Sequence, residues 1–195
     1  MSDDTKENYL KTFNSLDDRR AFATEPLKDI DDKKLKRYIG RTKEDLFSWI
    51  LEDGISASED DPSIYTGLSG IALMMIKLGQ TDLAITLLEQ AKEMEHKKGQ
   101  ISFLGGISGP LALLAVIKNS NEELEELLQL ENKYLRTMPD MPDELLDGRV
   151  GYLYALLYVK EANAKQCKEV HKELEETIQT VVSLIIKSGE DGAER

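Results

Sequence analysis

Cysteine is almost absent from this 195-residue chain: Cys167 stands alone, which excludes an internal disulfide framework. The two histidines, His96 and His171, are far from the spacings that specify a metal site. Net positive charge is missing as well. With 37 acidic against 25 basic residues the chain carries −12, which repels nucleic-acid phosphates and anionic membrane surfaces at long range, so no nucleic-acid partner is expected. The longest apolar runs, "GIALMMI", "PLALLAVI" and "YLYALLYV", reach about half of the roughly 20 residues that a membrane-spanning helix requires. The amino terminus has no apolar signal core and no glycine at position 2 for myristoylation, so a reducing, cytoplasmic setting is expected. A phosphate-binding glycine loop, a dinucleotide fingerprint, a nucleophile elbow and an EF-hand loop are also missing.

What the chain does have is glycine in pairs. Gly67 and Gly70 lie in "YTGLSGIALMMIKLG", Gly106 and Gly109 in "FLGGISGPLALLAVI", and Gly148 and Gly151 in "LLDGRVGYLYALLYV". The first members are separated by 39 and then 42 residues, so the pairs mark a repeat. A glycine inside a helix costs roughly 0.5–1 kcal/mol relative to alanine. Its return at the start of each apolar segment predicts that backbones approach closely there, as inward-tilting helices of a tapered barrel require.

Each pair opens a segment that is apolar on nearly every side, and each such segment precedes one with a single apolar stripe. The stripes are Leu83, Ala84, Leu87, Leu88, Ala91 and Met94, with Thr81 as N-cap; Leu124, Leu127, Leu128, Tyr134, Leu135 and Met138; and, between Lys165 and Lys187, Cys167, Val170, Leu174, Ile178, Val181, Val182 and Ile185. A helix apolar all round is buried on several sides, whereas a striped one lies at the surface. The repeat is therefore an inner helix followed by an outer one, and the fold class is all-α. Residues 61–195 hold three such hairpins. Residues 1–60 form a charged leading segment with one or two helices, one of them running from about Asp32 to near Gly54.

Several side chains are candidates for chemistry. His96 sits at a helix end, where a partly protonated imidazole would favour the negative end of the dipole. Cys167 and His171 are four residues apart on one helix, but no second cluster completes a zinc set, and the thiol continues an apolar stripe. Asp140, Asp143, Glu144 and Asp147 precede the third inner helix. They read as capping carboxylates or as a source of a catalytic one. Arg149, within an otherwise apolar helix, needs a carboxylate partner or a polar cavity, and Glu144 is one candidate partner.

The segments "SIYTGLSGIALM", "ISFLGGISGPLALLAV" and "PDELLDGRVGYLYALLYV" resemble the first three glycine-pair repeats of the eukaryotic lanthionine synthetase C-like proteins, relatives of the bacterial lanthipeptide cyclases. The resemblance runs from about Asp61 to Gly189. It implies an α/α toroid, a double barrel with glycine-opened inner helices, of which this chain supplies about half the ring. It also implies, for full-length relatives, zinc-dependent addition of glutathione to dehydroamino acids in proteins, with the metal held by cysteine and histidine segments of later repeats. Those segments are absent here. No metal ligand carries over, and the chain by itself is expected to be an inactive fragment. Glu144, four residues before Gly148, matches the place of an acidic residue linked to acid–base chemistry in the cyclases. Arg149 neighbours the same cavity or forms an ion pair. A scaffold that self-associates through its open edge is the alternative expectation.

Overall fold

The computed structural model describes residues 31–138, 140–165 and 172–193, which are helical or in turns and loops, with no strand among them. It divides into two compact units, Met1–Glu52 and Asp53–Arg195. In the first, helix α1 spans Asp32–Trp49, its start capped by Asp31, whose carboxylate accepts from the Lys34 amide at 2.7 Å. A π-helical turn, Ile50–Gly54, follows it.

The second unit holds the hairpins. Inner helix α2 (Leu68–Lys77) is followed by outer helix α3 (Thr81–Glu93), inner α4 (Ser108–Ile117) by outer α5 (Asn121–Leu130) with a π-helical turn at Glu131–Leu135, and inner α6 (Arg149–Lys165) by outer α7 (Lys172–Ala193). The amphipathic stripes pack largely as their spacing requires, except that Val182, which the spacing placed on the last stripe, is 37% exposed. Ala84, Leu87, Leu88 and Ala91 of α3, Leu124 and Leu127 of α5, and Leu174, Ile178 and Val181 of α7 are buried. Cys167, Val170 and His171 lie outside the described residues.

The first two hairpins turn in the same way. After α2, Gly79 adopts a φ of 76°, and the Gln80 amide reaches back to the Met75 carbonyl at 2.9 Å; after α4, Asn119 adopts a φ of 54°, and the Ser120 amide reaches the Ala115 carbonyl at 3.1 Å. Both are left-handed helix stops, made by the two residue types that tolerate that region best. This closure places Gln80 at the cap of α3, so Thr81 is its first helical residue and not the N-cap that the sequence suggested.

Outer helices are tied together by charge. Lys92 of α3 meets Glu126 of α5 at 2.6 Å, and Lys118 meets the buried Glu123 at 2.7 Å and Glu89 at 3.3 Å. Burial pulls the Glu123 carboxyl upward, but hydrogen bonds from Lys118 and Ser120 outweigh it and hold the group below its ordinary range. Tyr152 is wholly buried in α6 and donates its hydroxyl to the Leu127 carbonyl of α5 at 2.8 Å. This bond ties the third inner helix to the second outer one.

Candidate functional site

Each inner helix is preceded by a loop that folds back over its first turn, and the glycine pair is what lets it do so. A Cβ on any of the six glycines would overlap the carbonyl oxygen of the residue six positions earlier: Asp61 and Ile64, Gln100 and Phe103, Pro142 and Leu145. In all three hairpins the amide after the first glycine donates to that same carbonyl, Leu68 to Asp61 at 2.8 Å, Ile107 to Gln100 at 3.3 Å and Arg149 to Pro142 at 2.9 Å. The glycines thus serve first the contact between a helix and its own leading loop, which corrects the expectation of helix against helix. The second glycine also receives a neighbour: Ile64 packs on Gly109, and Ser102 on Gly151.

The loops share a further device four residues before the first glycine. Ser63 Oγ accepts from the Thr66 amide at 3.2 Å, Ser102 Oγ accepts from the Gly105 amide at 3.1 Å, and Glu144 Oε1 accepts from the Asp147 amide. Glu144 Oε2 accepts in addition from the Leu146 amide at 2.8 Å. All three side chains hold the same turn. Lining up the three repeats on their glycines would have revealed this position from the sequence, since Ser63, Ser102 and Glu144 then fall in one column.

The loops also bind one another. The Ile64 and Tyr65 amides donate to the Leu104 carbonyl at 2.9 and 3.0 Å, Ser102 donates its hydroxyl to the Leu146 carbonyl, and Gln100 donates to Asp147 Oδ1 at 2.7 Å. Where they meet lies a cavity of about 410 Å³. Asp61, Tyr65 and Thr66 reach it from the first loop, Gln100 and Gly105 from the second, and Leu146 and Asp147 from the third, with His96 and Lys97 at its side. Asp61 is held rigidly by the Ser63 amide at 2.9 Å and the Thr66 hydroxyl at 2.6 Å. Burial raises its carboxyl, but those hydrogen bonds, helped by the charge of Lys97, bring the net effect below the ordinary carboxylate value.

Arg149 is buried and paired with Asp143, with Nε 2.5 Å from Oδ1 and a terminal amine donating to Oδ2 at 3.0 Å. Its partner is therefore Asp143, not Glu144. The pair clamps the third loop onto the first turn of α6. His96 caps the end of α3 through a contact of 3.0 Å between Nε2 and the Ala91 carbonyl. Burial pushes its imidazole below the ordinary value of 6.5, so the cap is neutral at pH 7, where the sequence suggested a partly protonated one. A base held neutral stabilises the fold above its unfolded pKa. Stability should fall as pH drops from about 6.5 through the depressed folded value, and His96→Gln should flatten that part of a Tm-against-pH curve.

Among the described residues, no three histidine, cysteine, aspartate or glutamate side chains are arranged to hold a metal ion. The only cavity histidine has Nε2 engaged by a carbonyl. These residues do not supply a zinc site.

A row of inner and outer helices, with every inner helix opened by a glycine pair and capped by its own loop, defines an all-α protein built from repeated hairpins. The lanthionine synthetase C-like family model matches residues 58–194, and the chain belongs to that family. It is 34% identical over 155 residues to "Glutathione S-transferase LANCL1" of Danio rerio, an alignment that covers 72% of this chain and 37% of that protein. The chain thus spans well under half the length of that curated relative. No described helix is long and apolar enough to cross a membrane.

Proposed function

We propose that these hairpins form part of the wall of a glutathione-transfer site, in a protein that adds the thiol of glutathione to dehydroamino acids in peptides or proteins. The observation that carries this reading is a cavity onto which all three leading loops converge, on a chain of this family. The name of the zebrafish relative supports the choice of glutathione. In the reaction a sulfur–carbon bond forms at the β-carbon of the unsaturated residue and the α-carbon gains a proton. A cytoplasmic location would keep the thiol reduced.

Within this reading the chain's residues position and exclude. Asp61, Gln100 and Asp147 give the wall polar groups at fixed sites, because Asp61 is held within its own loop and Gln100 and Asp147 hold each other across two loops. Glu144 was the acid–base candidate. We assign it the narrower task of presenting Asp147, since both its oxygens are engaged by main-chain amides in the manner of Ser63 and Ser102. Zinc, which full-length relatives are expected to use, would be held by residues other than those described. The 195-residue chain alone is accordingly proposed to be inactive.

The experiment is to capture the endogenous protein with an antibody against this chain, record its intact mass, and assay it with glutathione, zinc and a dehydroalanine peptide. Adduct formation by the captured protein and none by the purified 195-residue chain is expected. No adduct from the captured protein refutes the transfer reading, and zinc-dependent adduct from the short chain refutes its proposed inactivity.

A further inference from the structure

The three leading loops bring main-chain amides to the cavity between them, and those amides are already used. Asp61 donates to the Ser58 carbonyl at 3.1 Å, Ser63 to Asp61 Oδ1 at 2.9 Å, Tyr65 to the Leu104 carbonyl at 3.0 Å and Gln100 to the Lys97 carbonyl at 3.0 Å. The amides of Thr66, Gly105, Leu146 and Asp147 donate to Ser63, Ser102 and Glu144, the side chains that hold the three turns. Among the described lining residues of the loops, from Asp61 to Thr66, Gln100 to Gly105 and Leu146 to Asp147, no amide is left to receive a carboxylate.

What remains is acceptor oxygen. A carboxylate can only accept, so the bond of 2.7 Å between Gln100 and Asp147 Oδ1 fixes the amide nitrogen of Gln100 toward Asp147 and turns its Oε1 away. Among the described residues, no donor is bonded to Gln100 Oε1 or to Asp147 Oδ2. Each oxygen of Asp61 has one donor, the Ser63 amide or the Thr66 hydroxyl, and has room for a further one. The charges on the wall have the same sense. The carboxylates of Asp60, Asp61, Glu95 and Asp147 stand against one ammonium, that of the exposed Lys97, and His96 is neutral.

Unused acceptors, fully used loop amides and a negative balance fit a ligand that is cationic and donates hydrogen bonds. The two substrates of the proposed reaction differ in this respect. Glutathione brings two carboxylates and one ammonium. The acceptor polypeptide brings main-chain N–H groups and whatever lysine or arginine lies near its unsaturated residue. We infer that this cavity is the subsite of the acceptor polypeptide, and that Asp61 and Asp147 select sequences with lysine or arginine beside the dehydroamino acid. The inference rests on the glutathione-transfer reading and adds to it which of the two substrates these loops hold. Asp61 and Asp147 are specificity determinants for that flanking side chain, and the Gln100 amide oxygen serves its N–H groups or those of the neighbouring main chain.

The test uses three dehydroalanine peptides that differ only in their flanking residues, lysine, glutamine or glutamate, and three matching peptides with alanine in place of the dehydroalanine. Binding of the alanine peptides to the 195-residue chain, read by fluorescence anisotropy, needs no zinc, no glutathione and no turnover. The lysine peptide should bind at least about 10-fold tighter than the glutamate peptide, and salt should narrow the gap. Asp147→Asn, which keeps an acceptor for Gln100, and Asp61→Asn should each reduce that ratio by about 3-fold or more, and Asp147→Lys should shift the preference toward glutamate. Excess glutathione should leave the lysine peptide bound. Equal binding of the three peptides, displacement by glutathione, or an unchanged ratio in both asparagine variants overturns the inference. If circular dichroism shows Asp61→Asn unfolded, the variants of the exposed Asp147 decide. The captured endogenous protein, given the dehydroalanine peptides with glutathione and zinc, should have its highest kcat/KM on the lysine peptide. Adduct formed equally on all three refutes the selection and leaves the transfer reading standing. No adduct on any of them refutes the transfer reading, and the acceptor subsite falls with it.

Discussion

Replacing Gly148 by alanine should cost at least about 3 kcal/mol, at the upper end of overpacking effects, because the new methyl meets main chain and not a side chain that can turn aside. It would overlap the Pro142 carbonyl oxygen and crowd the Glu144 amide. Relief requires lifting the third loop off α6, and the Arg149 amide bond to Pro142 and the Arg149–Asp143 pair hold it down. For a chain of this size about 3 kcal/mol corresponds to a fall of roughly 6–12 °C in Tm. The control is Gly189→Ala in α7, where a Cβ meets nothing within 4 Å. There alanine should stabilise by about 0.5–1 kcal/mol through better helix propensity. Thermal melts of the two variants decide it: equal effects of either sign would remove the close-contact account of the glycine pairs.

Removing the carboxylate of Asp143 is the second large effect. Asp143→Ala leaves the buried Arg149 guanidinium without its anion, and an uncompensated buried charge typically costs about 3–5 kcal/mol. Because Asp143 is itself partly exposed, water can reach the vacated space, and the lower end of that range is expected. Adding Arg149→Met should recover part of the loss, since the desolvated charge goes with it. Urea unfolding of the wild type, both single variants and the double variant supplies the cycle. Strictly additive effects would mean that the pair does not clamp the loop.

Much of this fold could be read along the chain. The stripe through Ala84, Leu87, Leu88 and Ala91 and the uniformly apolar run from Pro110 to Ala115 named the outer and inner helices, because helical periodicity converts burial directly into residue spacing. The glycine pairs marked the starts of the inner helices for a similar local reason, but not the loops that fold over them. The site was less legible. Nothing in the spacing of Asp61, Gln100 and Asp147 marks them as members of one cavity, since they lie on three different loops. The Arg149 partner was missed by one residue, because Asp143 and Glu144 are equivalent until the turn is built. Glu144 then proves to be committed to main-chain amides.

The sequence by itself determined the hairpin repeat, the inner and outer order of its helices and the family, all of which depend on residues near one another or on a pattern repeated along the chain. Only the tertiary structure decided what the glycines touch, which carboxylate neutralises Arg149, and that three loops share one cavity. It also decided that His96 caps α3 as a neutral base. Those facts depend on how each loop turns back over its own helix and, for the cavity, on contacts between loops some 40 residues apart, neither of which residue spacing encodes.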